Sequence, residues 1–268
     1  DPEGAVMETI ATFTGLTVFD MAPDFENRKI YYTNFTDGTI ERVDMEPDSD
    51  STKELLISLL NNPWAIKLDV KSQKMYWTEP NPSNKIYRAD MTVGTTAELL
   101  YSESIPIWGL AIEPDINILY WMRNNNFMAG TIDGSKDPEI ISGNFGDSRF
   151  ISLEPKFQRV YFGTNDAGSG TASIQYRNLK GTISTSSLIE STTSDCWHVF
   201  VDSETQKIFW TDHDLNTLEC ANIFNMQYDD GNVTHAIPQS SLQYTWIKDS
   251  AETTRAEFQG YATGSDIQ

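Results

Sequence analysis

An aromatic tetrapeptide recurs along the chain at near-constant intervals, and a fixed period of roughly 40–50 residues confines a chain to repeat architectures. The marks are Tyr31-Tyr32-Thr33-Asn34, Tyr76-Trp77-Thr78-Glu79, Tyr120-Trp121-Met122-Arg123, Tyr161-Phe162-Gly163-Thr164 and Phe209-Trp210-Thr211-Asp212. They are spaced 45, 44, 41 and 48 residues apart. Ahead of each lies a short apolar segment ending at an acid or a proline: Leu16 to Pro23, Trp64 to Asp69, Trp108 to Pro114, Phe150 to Pro155 and Trp197 to Asp202. A polar turn and a third segment follow, as in Lys85 to Asp90 and Thr217 to Ile223. A fourth closes each unit: Glu54 to Leu60, Glu98 to Tyr101, Glu139 to Ser142, Ser187 to Glu190 and Thr234 to Ile237. Four short strands per period predict β-propeller blades.

A sixth first strand is expected at Tyr244 to Asp249, with a second around Glu257 to Thr263. Glu8 to Gly15 has no blade of its own, so it is expected to supply the outer strand of the last blade and to remove the open edge. The expected fold is therefore all-β: a single six-bladed β-propeller domain over 1–268 with four-stranded blades, its ring closed by the N-terminal strand. The blades fall near 16–60, 61–101, 105–142, 148–190, 195–237 and 242–268 plus 8–15.

These marks resemble the YWTD repeats of the low-density-lipoprotein receptor family, also called receptor class B repeats; Phe209-Trp210-Thr211-Asp212 and Tyr76-Trp77-Thr78-Glu79 come nearest to that pattern. The resemblance implies a propeller and, by default, a protein- or glycan-binding module. It covers most of the chain, but the Cys-rich modules that accompany such repeats are absent from this sequence, which has two cysteines, Cys196 and Cys220. Because a second strand should stand between these two, both thiols are expected to be free and mostly buried. Function has to come from the site, since propellers serve receptors, lectins, hydrolases and lyases alike.

The ring places equivalent residues around one axis, and the start of each first strand faces the mouth of the channel. Counting five back from the acid that ends each first strand, or from its equivalent before a proline, gives Thr17, Trp64, Trp108, Arg149, Trp197 and Tyr244. Aromatics at such a place either plug the channel as core or form a cup for a planar or apolar small molecule. Arg149 either pairs with an acid or offers a fork of donors to a ligand oxygen. Beside Trp197 stands His198, the histidine best placed for proton transfer; Asp20 and Lys67 lie further along first strands. The hairpins after the marks bring Glu79, Arg123, Asn124, Asn165, Asp166, Asp212 and His213 to the rim.

Other chemistry finds little support. A net charge of −20 argues against nucleic-acid binding, while 39% hydrophobic residues argue against disorder. No acid occupies the ring positions, so no calcium site is expected. No His/Cys cluster has zinc spacing, and no nucleophile elbow, phosphate loop or dinucleotide fingerprint occurs; no metal and no cofactor is expected. Without a run of eighteen apolar residues, no membrane-spanning helix is expected. The opening Asp1-Pro2 without Met suits a processed chain, for which secretion is one explanation, and the sequons at Asn34 and Asn232 would suit it too.

Two functional readings remain. The first is a small-molecule site in the cup, with Trp64, Trp108, Trp197, Tyr244 and Thr17 binding and Arg149 and His198 acting. In an enzyme this favours cofactor-free cyclisation or cycloaddition, where orientation and one fixed donor do most. In this respect the chain is similar to fungal propeller hetero-Diels-Alderases that join a terpene to a tropolone-derived quinone methide. The second is a secreted receptor-like or lectin-like module; a homodimer is compatible with either.

Overall fold

The computed structural model describes residues 10, 15–46, 53–143, 148–166, 171–179, 185–191, 196–203, 205–212, 217–223, 243–248 and 254–259. Blade 1 comprises β1 (Val18–Asp24), β2 (Lys29–Asn34), β3 (Thr39–Asp44) and β4 (Glu54–Ile57); blade 2, β5 (Ile66–Asp69), β6 (Lys74–Glu79), β7 (Lys85–Asp90) and β8 (Glu98–Ser102). Blade 3 holds β9 (Ile107–Glu113), β10 (Ile118–Arg123), β11 (Asn126–Thr131) and β12 (Glu139–Gly143); blade 4, β13 (Ile151–Glu154), β14 (Arg159–Asp166), β15 (Thr171–Asn178) and β16 (Thr185–Ser191). Blade 5 shows β17 (Cys196–Asp202), β18 (Lys207–Asp212) and β19 (Thr217–Asn222). Each is an antiparallel meander in sequence order, and the five first strands β1, β5, β9, β13 and β17 pack successively.

The expectation of six blades is corrected to five. After blade 5 the described chain forms only a two-stranded hairpin of β20 (Gln243–Lys248) and β21 (Thr254–Gln259), which belongs to no other sheet. A period of chain length counts units of sequence, whereas a blade also requires outer strands to pair. The fourth strand expected at Thr234 to Ile237 lies outside the described residues, as does all of Glu8 to Gly15 except Ile10 and Gly15. Met21 on β1 is 60% exposed, while its equivalents Ile66, Leu110, Ile151 and Val199 are buried. Those four each have a preceding blade packed on that face; among the described residues, blade 1 has none.

Register identifies the equivalent positions. Met21 pairs with Tyr32, Ile66 with Trp77, Leu110 with Trp121, Ile151 with Phe162 and Val199 with Trp210. All five partners are the second residue of a mark and are buried; Trp77, Trp121, Phe162 and Trp210 lie between blades, as do Tyr31, Tyr76, Tyr120 and Tyr161. The tetrapeptides are thus interblade core, the ordinary use of large aromatics on a two-sided sheet. Their threonine has a different role. Thr33 Oγ1 accepts from Asp20 N (3.2 Å) in its own blade and donates to the Trp64 carbonyl (2.8 Å) of the next. Thr78 repeats this, accepting from Ala65 N (3.1 Å) and donating to the Trp108 carbonyl (3.0 Å). These hydroxyls stitch neighbouring first strands together at the level of the mouth.

First strands also end alike. Asp24, Asp69 and Asp202 each accept an N–H from three residues on, at Asn27, Ser72 and Thr205, an Asx turn that fixes the reversal into the second strand. Blades 3 and 4 turn instead through short 3-10 segments at Pro114–Ile116 and Pro155–Phe157.

Cys196 and Cys220 are not joined by a disulfide, as expected, with β18 between their strands; both are half-buried rather than mostly buried. Asn34 corrects the sequon reading. Its side chain is fully buried, and Nδ2 donates to Asp37 (3.0 Å) and Glu41 (3.2 Å). A glycan on that nitrogen would replace one of these two N–H donors and has no space. Expressed in a glycosylating host, the protein should therefore carry no glycan at Asn34, which peptide mass mapping checks. Asn232 lies outside the described residues.

Candidate functional site

The mouth is assembled by side chains from successive first strands, each touching the next. Phe19 stacks on Trp64 (centroids 3.8 Å apart, planes at 23°). Trp64 meets Trp108 edge to face at 5.1 Å. The Arg149 guanidinium lies 5.4 Å from the Trp108 ring centroid, within the range of a cation–π contact. Phe19, Trp64, Trp108 and Arg149 occupy one equivalent position in blades 1 to 4, two residues ahead of Met21, Ile66, Leu110 and Ile151. Trp197 of β17 holds the same backbone position in blade 5; its side chain, like that of Tyr244 in β20, is outside the described residues.

Thr17 is not part of this row. It is exposed, its N–H bonded to Thr36 Oγ1 (3.1 Å) and its carbonyl to Phe35 N (2.9 Å). Phe19 takes the place expected of Thr17 because β1 runs through Pro23 to Asp24. Counting five back from Asp24, the residue equivalent to Asp69 and Asp202 by its turn hydrogen bond, would have found it.

One residue further along, the equivalents are Asp20, Ala65, Gly109, Phe150 and His198. Phe150 lies 6.0 Å from Trp64 and stacks on the His198 ring at 3.5 Å. Trp64 is 6% exposed and Phe150 4%, so these two close the axis as core. Phe19, Trp108, Arg149 and His198 are only half-buried and form the accessible wall above them. Phe35, in the turn after the first mark, packs edge to face on Phe19 at 4.9 Å. The cup of the sequence reading is thus a shallow wall over an aromatic plug. Phe19, Phe35 and Phe150 were the members that positional counting missed.

A charged group sits beside this wall. Asp20 is buried; its Oδ2 accepts from Ile66 N (2.9 Å) and Lys67 Nζ (2.8 Å), and its Oδ1 from Met21 N (2.9 Å). His198 Nε2 lies 4.0 Å from Asp20 Oδ1 and brings blade 5 to blade 1. Burial lowers the His198 pKa below its usual value; Asp20 and the Phe19 carbonyl pull it up, and Lys67 adds to the lowering.

The rim residues expected at the hairpins serve structure where they are described. Glu79 is buried, bonded to Trp77 Nε1 (3.4 Å), and burial raises its pKa. Arg123 pairs with Glu103 at 3.0 Å, and Asn124 is an exposed turn residue with φ of 52°. The side chains of Asn165, Asp166 and Asp212, and all of His213, lie outside the described residues. Among the described residues no three His, Cys, Asp or Glu side chains are grouped to hold a metal ion, and no helix is long and apolar enough to cross a membrane.

No family profile matches the chain. It is similar in fold to solved propellers. A chain in the crystal structure of the nidogen/laminin complex superposes with a TM-score of 0.66 at 19% identity, covering 77% of this chain and 76% of that one. Virginiamycin B lyase from Staphylococcus aureus gives 0.54 at 12% identity, over 91% and 85%. A gluconolactonase from Xanthomonas campestris gives 0.57 at 16%, over 72% and 68%. At these identities the likeness establishes the all-β propeller fold.

Proposed function

We propose that the axial mouth binds a small planar or apolar molecule bearing an oxygen acceptor, and that the protein is a cofactor-free biosynthetic enzyme of the cyclisation or hetero-Diels-Alder type. The observation that carries this reading is the half-exposed Trp108 face with the Arg149 guanidinium beside it, above a buried floor of Trp64 and Phe150. A rigid apolar wall with one directional cationic donor suits a flat ligand whose carbonyl or enolate oxygen meets the guanidinium. Such a site catalyses by holding two reacting fragments together and stabilising charge that develops on oxygen. Of the two sequons that suit secretion, Asn34 is buried, which leaves Asn232.

Trp108→Ala should weaken binding of a planar aromatic carboxylate such as 2-naphthoate about tenfold or more, because it removes contact area. Arg149→Ala should lose a charge-assisted hydrogen bond worth about 1.5–3 kcal/mol, with Arg149→Lys restoring part of it. In an enzyme the Arg change would act chiefly on turnover and the Trp change on substrate affinity. Saturable quenching of tryptophan fluorescence reads the binding. If quenching by 2-naphthoate is the same in the wild type and both Ala variants, the mouth is only a plug.

The second reading is a protein-binding module, favoured by the fold likeness to the nidogen/laminin complex. A partner protein bound equally well by Trp108→Ala and Arg149→Ala would support it over the first.

A further inference from the structure

We propose that His198 is a general base at the propeller axis, with Asp20 and Lys67 as its positioning residues, acting on a planar carbon acid or hydroxyl substrate held in the mouth. The inference rests on the small-molecule reading of that mouth and assigns its proton chemistry. Three strands fix the ring. Its own backbone N–H is held by Thr211 Oγ1 (3.1 Å), its face lies on Phe150 of blade 4, and Nε2 points to Asp20 of blade 1 across a 4.0 Å gap. The side chain stays 35% exposed, so a molecule against the wall can reach it. A histidine serving only as filler would need neither that access nor a fixed carboxylate at that distance.

Asp20 is tied by three donors from two strands, so it cannot rotate to take the imidazole proton. It stands as a fixed negative charge that becomes favourable when the ring is charged. Lys67 works the other way, holding Asp20 in place while opposing a positive ring. These are the two charged groups that act on His198; the Phe19 carbonyl also accepts from the ring, and Phe150 covers its face. With burial, the balance leaves the ring neutral near neutral pH and its lone pair available.

In the step proposed, the imidazole lone pair takes a proton from a substrate C–H or O–H. The released pair forms a new π bond as a ring bond to a heteroatom breaks, or attacks an electrophilic carbon whose π pair moves onto a conjugated oxygen, and the imidazolium returns the proton to the atom that received the electrons. No redox partner is required.

The test uses 5-nitrobenzisoxazole, a flat carbon acid. His198 would take its C3 proton, the C–H pair would form the nitrile, and the N–O bond would break to give a coloured phenolate. The full-length protein should catalyse this above buffer, with a rate that rises with pH through the His198 pKa measured independently by NMR. His198→Gln should lose about 100-fold or more. Asp20→Asn should move both the NMR pKa and the rate inflection down, and Lys67→Met should move both up. Lys67→Met leaves the Asp20 bonds to Ile66 and Met21 intact, so it serves if Asp20→Asn does not fold. A rate untouched by His198→Gln, or an inflection that does not follow the NMR pKa, overturns the proposal. If the probe still quenches tryptophan fluorescence in that case, only the proton transfer fails; if it neither quenches nor reacts, the mouth reading fails too.

Discussion

Gly109→Ala is expected to destabilise the propeller by about 3 kcal/mol or more, because the added methyl collides with backbone and not with a movable side chain. A Cβ at Gly109 would lie 2.7 Å from the Arg149 carbonyl oxygen, 2.8 Å from Phe150 Cα and 3.0 Å from Ile151 N. Blades 3 and 4 approach here through their first strands, directly beneath Trp108 and Arg149. Relief requires the two strands to separate, which also disturbs the mouth. Ala65 is the equivalent residue in blade 2 and is buried without such a clash. The reciprocal Ala65→Gly should therefore cost only about 1 kcal/mol, from backbone freedom and a lost methyl. Thermal unfolding of the two variants beside the wild type checks this, and equal losses would refute the close approach.

Trp121→Ala is expected to cost about 3–5 kcal/mol, the usual penalty for emptying a large aromatic site in a core. Trp121 is fully buried and stacks on Tyr101 at 4.9 Å, whose hydroxyl donates to the Thr131 carbonyl (2.8 Å). Gly130 opposite them has no room for a side chain, since a Cβ there would lie 2.7 Å from Tyr101 Cζ and 3.0 Å from Trp121 Cη2. The backbone of β11 is thus shaped around the two rings, and the site cannot collapse onto the space the indole leaves. Denaturant unfolding should show a lower midpoint with an unchanged slope. Trp121→Phe, which keeps the stack on Tyr101, should recover more than half of the loss.

The amino-acid sequence by itself determined the blade. A period of 41–48 residues with an aromatic second strand fixes which residues fill the interblade spaces, because side chains alternate along each strand and both faces of a blade are covered. It also placed Trp64, Trp108 and Arg149 at one level, since equal offsets within repeats become equal heights in a ring. The tertiary structure decided what offsets cannot carry. The mouth position in blade 1 is Phe19 and not Thr17, because β1 runs on through Pro23 and makes its turn at Asp24. Phe150 turns inward to close the axis beside Trp64, because Gly109 and Ala65, its equivalents in blades 3 and 2, leave that space open. Repeat counting predicts six units, whereas the described strands assemble into five blades and a two-stranded hairpin. The meeting of His198 and Asp20 joins residues 178 positions apart. Only the curvature that brings blade 5 round to blade 1 sets that imidazole and that carboxylate side by side.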